Sequence, residues 1–175
     1  MLSACAWHKY PTIYDDPSAI AVLAATQGNP VHGVVTFVRK GRTTLVNANL
    51  SGFKPDSSHG MHIHENGDCS ARDAASAGEH FNPTSSDHGG PADPAHHSGD
   101  LGNVTADSKG EVYATFEISD GTFGNGPDSI IGRGVIVHAA RDDLKSQPAG
   151  NSGARVACGL ITRNPDRMTY PIAAQ

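Results

Sequence analysis

Between His62 and Asp100 the chain carries histidine at positions 62, 64, 80, 88, 96 and 97, set among Gly, Pro, Ser and Asp. From Asn66 to Gly99 there is neither the alternation of a strand nor the period of a helix. A loop of that length without secondary structure is uncommon in a compact domain and is usually functional or disordered. It has no apolar stripe to bury, so something other than hydrophobic packing has to organise it. Neutral imidazole suits copper, zinc, iron and nickel. His62 and His64 stand two apart, so on a strand they share one face while Ile63 between them points to the core. The pattern predicts a metal site.

The rest of the chain reads as short strands. Gly 20 and Pro 11 in 175 residues, without long helical periods, favour strands joined by turns. β-rich runs are expected at 19–26, 31–40, 43–50, 61–65, 101–106, 111–118, 134–140 and 155–162, about eight strands in one all-β domain. In the second run Val31, Gly33, Val35 and Phe37 alternate with His32, Val34, Thr36 and Val38, and apolar residues on both sides predict two partly covered faces. A second polar loop spans 142–153. Residues 1–18 read as an N-terminal arm, 19–163 as the domain and 164–175 as a tail.

Charge and cysteine usage narrow the class. The formal charge is -5 with no basic block, which argues against a nucleic-acid partner. No apolar run approaches the ~18 residues of a membrane-spanning helix. Of three cysteines, Cys69 lies beside the histidines and Cys158 near the end. A bond between them would close about 90 residues, worth about 4–5 kcal/mol on the chain-entropy model, and would favour an oxidising compartment. Two free buried thiols are the alternative. Cys5, in LSAC, resembles the end of a bacterial lipoprotein signal, where the cysteine becomes a lipidated terminus. A stray thiol in a tail is the other reading.

His80, His88, His97 and Asp100 make a closed N3O set suited to tetrahedral zinc. His62, His64 and His138, the last ending the apolar run Val135-Ile136-Val137, remain for a second metal. Two sites then require either a shared histidine or a three-coordinate site. An imidazolate has a lone pair on each side, so sharing is physically reasonable.

The strings GMHIHENGD, AGEHFNP, DHGGP, HHSGDLGNV, GRGVIVHAARDDL and GNSGARVACGL, in this order, resemble the copper/zinc superoxide dismutase family over residues 19–163. The resemblance implies an eight-stranded Greek-key sandwich or flattened barrel with two long functional loops. It implies copper on His62, His64, His80 and His138, and zinc on His80, His88, His97 and Asp100, with His80 the bridge. It also implies a Cys69–Cys158 disulfide, Arg155 above the copper as the anion-orienting group, and Asp142 bridging the free nitrogens of His62 and His88. Superoxide is the implied substrate, turned into dioxygen and hydrogen peroxide, with His80 handling a proton. The resemblance is compatible with a homodimer, with a monomer the alternative; the expected location is the periplasm or the cell surface, lipid-anchored if Cys5 is modified.

Departures from the family pattern lie in the loops. The 142–155 stretch is shorter than in many eukaryotic members, leaving Arg155 and Lys145 as the nearby cations, and Ala149 falls where many members carry threonine. Cys69 follows His64 by five residues, and an insertion, ARDAAS, precedes His80, as in bacterial members. His8, His32, His59 and His96 have no place in the pattern. A non-catalytic relative would be expected to lose a copper ligand or Arg155, and both are present. A metallohydrolase would need an open zinc position and a general base, and Glu65 and Glu79 stand in no motif for one. A metal buffer would space its histidines permissively.

Overall fold

The computed structural model of the protein describes residues 18–119 and 123–164. Eight strands run β1 Ala19–Ala25, β2 His32–Lys40, β3 Thr43–Ser51, β4 Ser58–His64, β5 Asp100–Thr105, β6 Glu111–Ile118, β7 Gly134–His138 and β8 Arg155–Arg163. No α-helix occurs among the described residues; a single 3-10 turn covers Ala75–Ala77. Every expected strand is present. Two differ by more than one residue at an end: β4 starts at Ser58 rather than Met61, and β7 stops at His138 rather than Ala140. The expectation of no regular structure from 66 to 99 is corrected by the 3-10 turn and by an isolated bridge between His64 and His80. Cys5 and most of the expected arm and tail lie outside the described residues.

The strands are antiparallel, in the order β5-β4-β7-β8-β1-β2-β3-β6. The links β3→β4 and β6→β7 cross from one side of the molecule to the other, as in a Greek key. β8 joins the halves by pairing with β1 and with β7. β5 and β6, at the two ends of the order, also approach each other, so the sheet nearly closes into a barrel.

Alternation decides what fills it. In β1, Ala19, Ala21 and Leu23 are buried while Val22 is exposed. Phe37, Leu50, Met61, Ile63, Val135, Val137 and Ile161 are fully enclosed in the same core. Burial of each such large apolar side chain contributes about 1.5–3 kcal/mol. Val38 on the other face of β2 is also buried, as its imperfect alternation predicts. Residues between β6 and β7, for which the sequence shows no element, add Phe123 and Ile130 to the core.

The outward faces of β4 and β7 are buried too, beneath loops rather than under water. One cross-strand row reads Asp100, His62, Ile136, Cys158 across β5, β4, β7 and β8. In the next, His138 pairs with Arg155. The sheet thus holds residues from both expected metal groups, a cysteine and the arginine at fixed register.

Candidate metal centre

Two groups of side chains offer ligand atoms that lie within 4.8 Å of one another: His62, His64, His80 and His138, and His80, His88, His97 and Asp100. All seven residues are buried. His80 is the member common to both. β4 and β7 supply His62, His64 and His138. The 66–99 loop supplies His80, His88 and His97, and Asp100 opens β5.

Hydrogen bonds fix which nitrogen of each ring is available. His64 Nδ1 is 2.9 Å from the Gly78 carbonyl oxygen, and His138 Nδ1 is 3.0 Å from that of Gly153. A carbonyl only accepts, so both rings carry their proton on Nδ1, leaving the Nε2 lone pairs free. His62 Nε2 and His88 Nε2 face the two oxygens of Asp142 at 2.7 and 3.0 Å, which leaves their Nδ1 atoms free. The buried atoms without a hydrogen-bond partner among the described residues are His62 Nδ1, His64 Nε2, His80 Nε2, His88 Nδ1 and His138 Nε2. Leaving five such atoms unmet would be costly. Metal coordination through these lone pairs would account for all five, and imidazole donors suit both copper and zinc.

Three donor atoms of the second group stand close to the spacing that a tetrahedral ion would set. His80 Nδ1 lies 2.8 Å and His97 Nδ1 3.3 Å from Asp100 Oδ1, and the two nitrogens are 3.4 Å apart. Ligands ~2.0 Å from a tetrahedral centre stand about 3.3 Å from each other. His88 Nδ1 is 3.0 Å from Asp100 Oδ2 without the angle of a hydrogen bond, so proximity there is not pairing. Asp100 Oδ2 instead accepts from the backbone N–H groups of Gly89 and His97.

Burial sets the protonation of the first group. It pulls His64 down to about 2, with His80 adding repulsion, and His138 to about 3. It pulls His62 to about 4 against the opposing hydrogen bond to Asp142. These rings are neutral, as metal binding requires. At His88 burial acts in the same direction, but the two carboxylates that flank the ring, Asp100 and Asp142, outweigh it and raise the ring to about 9. Burial alone would raise Asp100 and Asp142; their histidine partners hold both below the usual carboxylate range.

Arg155, half-buried across the strand pair from His138, donates from Nη1 to the Ala74 carbonyl at 2.7 Å and from Nη2 to the Gly78 carbonyl at 2.6 Å. Its charge depresses both His64 and His138, which places it on the side of the first group. Cys69 and Cys158 form a disulfide, tying the 66–78 segment to β8. Ala149 lines a cavity of about 160 Å³ with His138 and Ser152. Lys145 is exposed.

Three residues of the centre lie beyond the sequence reading. His59 is buried, its Nδ1 2.8 Å from the His138 carbonyl oxygen, its Nε2 2.7 Å from Ser57 Oγ and its ring 4.7 Å from that of Phe53. The signal is parity, once β4 is seen to begin at Ser58: 59, 61 and 63 share a strand face, and that face is the core. Asn103 exchanges two hydrogen bonds with the backbone of Asp142. Gly150 has φ +63°, and a Cβ there would overlap the Asp142 carboxylate and come within 2.7 Å of His88 Nε2. Both stand in the motif strings HHSGDLGNV and GNSGARVACGL, which by themselves assign them no role.

The comparisons agree with the geometry. The family model described as "Copper/zinc superoxide dismutase (SODC)" matches residues 31–161. Among solved structures, the crystal structure of the clock protein EA4 is similar at 38% identity and a TM-score of 0.76, over 86% of this chain and 98% of that one. The matched span contains both histidine groups, Asp142, Arg155 and both bonded cysteines. The chain belongs to the copper/zinc superoxide dismutase family, oxidoreductases that use copper and zinc and act on superoxide.

Proposed function

We propose that this chain dismutates superoxide through copper held by His62, His64, His80 and His138, joined by the His80 imidazolate to zinc held by His80, His88, His97 and Asp100. The observation that carries this reading is His80, shared by both groups, with its Nε2 unpartnered on one side and its Nδ1 among the second group on the other. Copper supplies a one-electron couple that oxidises one superoxide and reduces the next, and zinc a redox-silent Lewis acid on the far side of the ring.

The protein's own groups do the rest. Arg155, always charged and fork-shaped, pairs with the incoming anion and orients it. Its position is set by the two carbonyls that accept from it. When the metal of the first group is reduced, His80 Nε2 would give up its bond to that metal and hold a proton, which it would return to the departing peroxide, the second proton coming from solvent. Asp142 fixes His62 and His88 through their far nitrogens, as carboxylates behind ligand histidines do. The loops over β4 and β7 exclude water from six rings.

The disulfide is compatible with an oxidising compartment and supports a periplasmic or cell-surface location. Lipidation of Cys5 and pairing into a homodimer belong to the same proposal.

The test is superoxide decay by pulse radiolysis on protein of measured copper and zinc content, with a metal-free control. Turnover should follow copper, at one copper and one zinc per chain. His80→Ala should lose zinc retention and shift the copper spectrum. Retained zinc with an unchanged spectrum would remove the bridge. Full loading without turnover would overturn the catalytic reading.

A further inference from the structure

Part of the loop from Ala139 to Ala154, from Gln147 to Gly153, lines a cavity together with His138. Much of the loop is a self-contained unit. Asp143 accepts from the N–H groups of Lys145 and Ser146, from Ser146 Oγ and from Asn151 Nδ2, and Gly150 N–H donates to the Ser146 carbonyl. Such internal bonds give the unit a shape but not a position. Its base is set by Asp142, held by Asn103. Its far half is joined to the 66–99 loop by Gln147.

The Gln147 amide meets both polar backbone atoms of His88. Oε1 accepts from the His88 N–H at 2.8 Å and Nε2 donates to the His88 carbonyl at 2.9 Å. Only glutamine has this donor and acceptor at this reach. His88 is therefore gripped twice by one loop: at its ring by Asp142 and at its backbone by Gln147. Pro148 and Ala149, directly after Gln147, line the cavity with His138.

We propose that the cavity beside His138 is the anion entrance and that Gln147 is a positioning residue that couples zinc occupancy at His88 to the shape of that entrance. The proposal rests on the metal assignment above and deepens it. Zinc at His88 Nδ1 holds the His88 backbone still, and the held backbone fixes Gln147 and with it the entrance wall. Coupling of this kind is reciprocal: a wall that is in place favours zinc to the same degree that zinc favours the wall.

The experiment uses the full chain as wild type, Gln147→Leu, which keeps neither hydrogen bond, and Gln147→Glu, which keeps the acceptor and loses the donor. Hydrogen exchange over 143–153 is followed in metal-free and in zinc-loaded, copper-free protein, and zinc release to a chelator is timed. Azide binding to the copper-zinc protein is titrated by visible absorbance. In wild type, zinc should protect 143–153. In zinc-loaded Gln147→Leu that segment should exchange as in metal-free wild type, while β4 and β7 stay protected. Zinc should leave about five-fold faster or more, azide affinity should fall, and Gln147→Glu should lie between.

Exchange and azide affinity unchanged in Gln147→Leu would overturn the proposal. So would a wild-type loop that ignores zinc, which needs no variant. A wild type that binds zinc, turns over superoxide and shows an unresponsive loop sinks this inference alone. One that binds no zinc sinks the metal assignment as well.

Discussion

Arg155 and His64 share one acceptor. The Gly78 carbonyl oxygen takes a hydrogen bond from Arg155 Nη2 at 2.6 Å and another from His64 Nδ1 at 2.9 Å. The bond that fixes the tautomer of a proposed copper ligand is thus made to the atom that positions the proposed anion-orienting arginine. Gly78 takes φ +75°, a conformation that glycine adopts without strain, and the disulfide anchors its loop to β8.

Replacing Arg155 by lysine should therefore cost more than its unchanged charge suggests. A single ammonium cannot reach two carbonyls and still present a planar fork to an anion. Turnover per copper should fall about tenfold or more, with both metals retained. Superoxide decay normalised to copper content measures it, and wild-type turnover would show that the fork is not used.

Asp142→Ala removes the carboxylate between His62 Nε2 and His88 Nε2 and frees both rings to rotate. Zinc affinity should drop about 10- to 100-fold, the usual cost of losing a group behind a ligand histidine. Competition with a chromogenic chelator gives the value. Affinity within two-fold of wild type would mean that Asp100 and the loop backbone orient His88 unaided.

His59→Phe keeps a ring against Phe53 and deletes the bonds to the His138 carbonyl and to Ser57 Oγ. A buried carbonyl left without its donor costs about 1–3 kcal/mol. Denaturant unfolding of the metal-free protein should show a loss of that size. An unshifted midpoint would reduce His59 to a space-filling ring.

The entrance loop carries its own acid sensitivity. Hydrogen bonds from the Ser146 hydroxyl and N–H, then from the Lys145 N–H, pull Asp143 from 3.8 to about 2. A carboxylate lowered on folding stabilises the protein above its unfolded value and ceases to do so as pH falls through the folded value. The difference in melting temperature between metal-free wild type and Asp143→Ala should be full at about pH 5 and shrink between about pH 4 and 2. A difference constant over that range would show that the carboxylate does not titrate with the loop intact.

What the sequence determined by itself follows from local periodicity. Alternation set the eight strands, and the parity of 62 and 64 against 61 and 63 put imidazoles on one face of β4 and core residues on the other. The motif strings, taken in order, pointed to both histidine groups. His59 lies ahead of the expected strand 61–65, so its place on the core face followed only from the longer β4, Ser58–His64. The tertiary structure decided which groups hold the ligands in place. The resemblance already implied Asp142 behind His62 and His88; the fold added that Arg155 reaches carbonyls 81 and 77 positions away and that Gln147 finds a backbone 59 away. Ala74 offers its carbonyl from a left-handed conformation that its residue type does not announce. A side chain's nature limits what it can donate or accept. Its partner is chosen only when Greek-key crossings and loop closure bring distant backbone into reach, and no local pattern encodes that meeting.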